Sequence, residues 1–214
     1  MSGFGYNVLG FGASASLGLG VGISLGYNGG PDDWDDMGIR AGDLAITVLS
    51  NLSAGPSFTT PTGYTLIQAK GASSSWSYPY TEGVALYYRI LDGTESGGQG
   101  NEWVVVRYGK PVTSVVVSNI ANSGTINLNY THTASTSESV LRVGCSGGYR
   151  ITGDQRDAWQ NSDGNEIASS VGPGSGAAFR NAGIIVTTTE SSGTIGLSGG
   201  QFVRACVAAT LTPE

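Results

Sequence analysis

Between residues 41 and 95 the chain reads AGDLAITVLSNLS, then TTPTGYTLIQAKG, then the aromatic loop SSSWSYPY at 73–80, then GVALYYRILDGTE. Apolar residues recur at every second position in these runs, and a period of two belongs to extended chain rather than to helix. Leu44, Ile46 and Val48 fall on one face of the first run, with Ala45, Thr47 and Leu49 on the other. In the second run Tyr64, Leu66 and Gln68 alternate with Thr65, Ile67 and Ala69. In the third, Val84, Leu86, Tyr88 and Ile90 oppose Ala85, Tyr87, Arg89 and Leu91. Large apolar groups on both faces suit a central strand covered on both sides, or a strand at a subunit contact. Turn chemistry separates the runs. The Asp43 carboxylate can cap backbone N–H groups of the turn before Leu44, Pro61 presets a turn, and Gly63 can supply a positive φ.

The same reasoning predicts strands at 43–50, 64–69, 83–91, 102–108, 114–119, 126–130, 139–146, 183–189, 194–197 and 201–210. Pro61-Thr62-Gly63, Asp92-Gly93, Asn122-Ser123-Gly124 and Gly199-Gly200 punctuate them, and no ten-residue window carries a helical stripe. Many short strands with turns at this spacing argue an all-β fold, an antiparallel two-sheet β-sandwich of jelly-roll-like kind. Residues 147–181 show no clear period and read as a long excursion at one end of it.

Residues 2–30 differ from the rest. Leu17, Leu19, Val21, Ile23 and Leu25 alternate with Gly18, Gly20, Gly22, Ser24 and Gly26, which gives an extended chain with one apolar edge and one nearly bare edge. A lone strand of this kind cannot offset its ordering entropy in water. It reads as an extended Gly-rich N-terminal arm that gains order on a neighbour's surface, where missing side chains allow close backbone approach. The alternative is an ordinary edge strand of the chain's own domain. Phe4, Tyr6, Phe11, Leu17, Leu19, Val21, Ile23 and Leu25 are then the assembly residues, with an arm and acidic turn at 1–36 and a β-sandwich domain at 37–214. No Lys or Arg precedes Arg40, and Gly interrupts the apolar residues, which argues against a secretory leader and a membrane-spanning helix.

Only 12% of the 214 residues are charged, and Gly numbers 35. A folded surface built from Ser, Thr, Asn and backbone suits packing against copies of itself or other proteins. The net charge of −6, with no cluster of Lys or Arg, argues against nucleic-acid binding and membrane insertion.

Candidate chemistry is sparse. PDDWDD at 31–36 lacks the glycine and closing glutamate of a calcium loop and reads as a solvated acidic turn, so no metal site is expected. Cys145 and Cys206 each sit in an apolar run and read as buried free thiols, the alternative being a disulfide between neighbouring strands. His132, the single histidine, lies in the polar run NYTHTAST with no nucleophile motif near it. Glu82, Asp92, Glu95, Glu102, Asp154, Asp157 and Asp163 offer carboxylates for a glycosidase, whose required pair separation a sequence does not show. The sharper candidates are Trp76, Tyr78, Tyr80 and Trp159, in polar loops with no core period. Exposed aromatics anchor protein interfaces and stack on sugar rings, and the ordinary alternative is that these fold back onto the chain's own domain. No catalytic residue and no cofactor are assigned.

GDLAITVLSN, TPTGYTLI and VALYYRILDGTE, in that order, resemble a β-sandwich domain of phage virion structural proteins. The chain's closing ESSGTIGLSGG and FVRACVAATLTPE resemble that domain's last strands, and SGFGYNVLGFG is similar to Gly/Phe-rich starts of phage structural proteins. Tyr64 stands where that pattern commonly has Trp, and the 147–181 excursion is a departure. The resemblance implies a non-enzymatic virion component made in the host cytoplasm: a capsid decoration or cement protein, or a fibre or tail component. Its expected partners are copies of itself, as a trimer, and other virion proteins. The alternative is a carbohydrate-binding adhesin on the particle, using the aromatic loop on a host surface glycan.

Overall fold

A computed structural model of the chain describes residues 19–20, 22–28, 32–52, 58–71, 82–96, 98–99, 102–123, 127–130, 140–150, 166–171, 179–187, 193–196 and 204–214. The strands in chain order are β1 (Ile23–Asn28), β2 (Asp32–Asp33), β3 (Leu44–Leu52), β4 (Thr65–Gly71), β5 (Glu82–Ile90), β6 (Gly98–Gln99), β7 (Glu102–Arg107), β8 (Val115–Ser123), β9 (Asn127–Tyr130), β10 (Leu141–Arg150), β11 (Glu166–Val171), β12 (Phe179–Thr187), β13 (Gly193–Gly196) and β14 (Arg204–Pro213). Among the described residues the one helical element is a 3₁₀ turn at Trp34–Met37. None is long and apolar enough to cross a membrane.

The fold is all-β, with two antiparallel five-stranded sheets ordered β1-β7-β3-β5-β4 and β11-β12-β10-β14-β8. Two short ribbons, β2 with β6 and β9 with β13, complete the pairing among the described residues. Each of the ten strands expected from alternation overlaps an observed one.

Two expectations are corrected. Residues 147–181 are not wholly irregular: 147–150 continue β10, Glu166–Val171 forms β11, and 179–181 open β12. Gly147-Gly148 and EIASSV carry little apolar signal, so their order comes from backbone pairing with β12. Residues 23–28 are not a free arm. They pair with β7 from Ile23↔Arg107 to Asn28↔Trp103 and form an edge strand of the chain's own sheet. Within the acidic segment at 31–36, Asp32 and Asp33 pair as β2 with Gln99 and Gly98, and the 3₁₀ turn at Trp34–Met37 follows them.

Alternation explains the packing of the first sheet. One face of β3, β5 and β7 gives Leu44, Ile46, Val48, Val84, Leu86, Val104 and Val106 to a core shared with Leu141, Val143, Cys145, Ala205, Val207, Ala209 and Leu211 of the second sheet. The opposite face gives Ala45, Ala85, Tyr87, Trp103 and Val105 to a second core, joined by Trp34, Tyr64 and Leu91, with Met37, Ile39 and Phe58 packed against it. Trp34 stacks on Trp103 with ring centroids 5.5 Å apart and planes 20° from parallel, an arrangement that aromatic quadrupoles favour. The Trp103 indole N–H is buried there without a partner among the described residues, a cost that the packing around it offsets. The double burial expected of the third strand is thus met inside one chain.

In β4 the strict alternation breaks. The register with β5 shifts between Leu66 and Gln68, so Ile67 is the extra residue of a bulge. Ile67 reaches the shared core while Ala69, of the same parity, packs against the second core.

Cys145 and Cys206 are both buried and free. Cys145 pairs with Val207, and both belong to the shared core, whereas Cys206 is opposite Ser146 and flanked by the core residues Ala205 and Val207. The two thiols therefore project from opposite faces of the sheet, which disfavours a disulfide. Burial, with Cys206 nearby, pushes the Cys145 thiol well above its ordinary range.

Candidate functional site: the exposed sheet edges

The motif block works as scaffold. Gly42 donates its N–H to the Leu91 carbonyl at 2.8 Å and accepts from Val112 at 3.0 Å, while Leu91 donates to the Asp43 carbonyl at 2.8 Å. Asp43 caps the preceding turn by accepting the Arg40 N–H at 2.8 Å. Tyr64 donates its N–H back to Pro61 at 3.1 Å, closing the PTGY turn with Gly63 at φ 81°.

The carboxylates of the DGTE turn are similarly engaged. Glu95 accepts the N–H groups of Asp92 and Gly93 at 3.1 and 3.0 Å and pairs with Arg89 at 2.7 Å. Asp92 accepts the Thr94 N–H at 2.8 Å as well as its hydroxyl, and these bonds hold the Asp92 carboxyl below the usual range. Asp92 and Glu95 thus hold a turn together. Asp154, Asp157, Asp163 and His132 lie outside the described residues, and of Glu82 and Glu102 only the backbone is described.

The residues expected to act in assembly separate. Leu19 packs against the shared core, and its carbonyl accepts the Gly109 N–H at 2.9 Å. Leu25 packs against the second core, and Ile23 is 59% exposed. A Cβ at Gly22 would lie 2.6 Å from Val106 and 3.0 Å from the Tyr108 ring, so Gly22 rests on the chain's own side chains, whereas a Cβ at Gly20 would meet nothing within 4 Å. Phe4, Tyr6, Phe11, Leu17 and Val21 lie outside the described residues, as do Trp76, Tyr78, Tyr80 and Trp159.

What the structure adds is the flank where the two sheets' last strands, β4 and β8, lie side by side. Leu66 on β4 is 45% exposed, and Val116 and Ile120 on β8 are 49% and 46% exposed. The β8 segment VVVSNIANS has neither charge nor proline, the usual protections of a sheet edge. Its one irregularity is a bulge. Ser118↔Thr210 is followed by Ala121↔Ala208, which sets Asn119 and Ile120 against one residue of β14. Asn119 takes φ 49°, and its amide lies 3.3 Å from the Thr210 hydroxyl oxygen, to which it donates. The sequence signal is a run of three valines opening an uncharged nine-residue segment. Edge position was not visible, because it depends on which strand β14 pairs with.

No family model, curated protein or solved structure matches the chain.

Proposed function

We propose that the protein is a non-enzymatic phage virion structural protein: a jelly-roll-like β-sandwich that assembles on the particle as a capsid decoration or cement protein, or as a fibre or tail component. One observation carries the reading. The residues of the block that resembles the virion domain, from Gly42 and Asp43 through Tyr64 to Leu91 and Glu95, serve turns and cores, and their carboxylates are engaged in caps and ion pairs. That is the work of a scaffold that presents its flanks and loops. The N-terminal arm is confined in this reading to residues before Leu19, since β1 belongs to the sheet. The partners are copies of the chain, as a trimer, and other virion proteins.

Immunogold labelling of purified particles with an antibody against the chain tests the proposal. Regular labelling of capsid or tail is expected. Its absence, with binding on a glycan array that Trp76→Ala abolishes, would replace the proposal with the adhesin reading.

A further inference from the structure

The β8 edge is built to take one more strand. Among the described residues it pairs with β14 on one side only, nine residues long and uncharged, and Val116, Ile120 and the neighbouring Leu66 stand exposed beside it. An edge of this kind gains both main-chain hydrogen bonds and apolar cover from an added strand. From this geometry we infer that β8 is the acceptor for residues 1–18 of a neighbouring copy, which add to it as an extended strand. The inference rests on the assembly reading above and names the surface through which copies meet.

Three observations favour that occupant over a second β8. First, the chain carries a net charge of −6, yet residues 1–30 and β8 contain no Asp, Glu, Lys or Arg, so these two segments meet without burying a charge. Second, two β8 edges pairing about a two-fold axis would need a flat, matched ladder. The bulge at Asn119 and Ile120, with Asn119 in the left-handed region, bends β8 in mid-strand. Residues 1–18, with glycine at positions 3, 5, 10, 12 and 18, can follow such a bend, because glycine adopts either hand of φ. Third, the segment has the reach. Leu19 is fastened to Gly109, which follows β7, on the β1 side of a sheet whose other edge is β4. That sheet is about 19 Å across at the usual strand spacing, whereas eighteen extended residues span up to about 60 Å.

The test uses the full chain, a variant lacking residues 2–18, and Ile120→Lys, with Val116→Lys as a second edge variant. Light scattering across 1–200 µM reports mass, hydrogen exchange at 115–123 reports the edge, and melting temperature confirms folding. The expected result is an oligomeric full chain with protected β8 amides. Truncation and either lysine should each weaken association at least tenfold and expose those amides. A monomeric full chain would overturn the inference. So would an oligomer that survives truncation but not Ile120→Lys, since β8 would then pair with another edge. An oligomer that survives both edge variants, with unchanged β8 exchange, would place the segment elsewhere. Because these measurements are made in free solution, failure here leaves the particle labelling to judge the virion reading separately.

Discussion

Arg107 grips Asp43 at two points, Nε donating to Oδ1 at 2.8 Å and Nη2 to Oδ2 at 2.6 Å. The same Nη2 donates to the Gly38 carbonyl at 2.8 Å, so one guanidinium ties the end of β7 to the turn that opens β3. The Asp43 side chain is only 3% exposed and that of Arg107 is 19% exposed. Arg107→Met would leave a buried carboxylate with the Arg40 N–H as its remaining partner, a loss of about 3 kcal/mol. Urea melts of both single variants and of the double variant Asp43→Asn/Arg107→Met check this. The double variant should lose less than the sum of the singles, and strict additivity would rule out coupling.

Alkaline pH should destabilise the fold through two buried groups that are neutral at pH 7. Burial raises the Cys145 thiol above its ordinary 9.0 and the Tyr108 hydroxyl far above its ordinary 10.0. Both stay protonated in the folded chain at a pH where the unfolded chain has released them. Their contribution is therefore complete below about pH 9 and declines as pH rises. Melting temperatures from pH 7 to 11 should fall above that point. Cys145→Ala and Tyr108→Phe, whatever their cost at pH 7, should each flatten the fall.

Thiol titration gives a simpler readout of the same burial. Native protein should show essentially no reaction with a thiol reagent at pH 8, and denaturant should release both cysteines together. A rapid single-thiol reaction in native protein would mean that one face of the second sheet is open to solvent.

Gly42 and Gly38 make a matched pair for a backbone test. Both have positive φ, 86° and 59°. A Cβ at Gly42 would lie 2.4 Å from the Pro111 Cβ, whereas one at Gly38 would meet nothing within 4 Å. Gly38→Ala should cost about 1 kcal/mol from backbone strain alone. Gly42→Ala should cost upwards of 2 kcal/mol, because clash is added to strain. Equal losses in equilibrium unfolding would show that Pro111 yields freely.

Trp34→Ala should cost about 3 kcal/mol, since the indole is 4% exposed and fills the second core. Loss of the Trp34–Trp103 stack should also remove near-ultraviolet circular dichroism. An unchanged spectrum would deny the stack in solution.

The sequence made the parity of β3 and β5 legible because side chains on a strand must alternate, and the faces read from Leu44–Leu49 and Val84–Leu91 are those that enter the two cores. It also made the Asp43 cap legible, since a carboxylate before a strand has local donors within reach. Arg107, 64 residues away, was not legible, because nothing local selects it. The bulges at Ile67 and Asn119 escaped for a related reason: each depends on the partner strand's register. Glycine alternation before Asn28 permits a close backbone approach, but sequence does not say at which glycine it occurs or whose surface is approached. The answer for Gly22 is Val106 and Tyr108 of the same chain. Of the aromatic candidates, Trp76, Tyr78, Tyr80 and Trp159 lie outside the described residues.

The two-sided burial of β5 restricts how such a chain can diversify. Val84, Ala85, Leu86 and Tyr87 are all buried, so neither parity is released to solvent. A saturation library across these positions should collapse to near-wild-type volumes at each site, in contrast to a half-exposed strand, where alternate positions drift. Selection for new surface properties is thereby diverted from the strand to the connections it anchors, which can be exchanged without renegotiating either core.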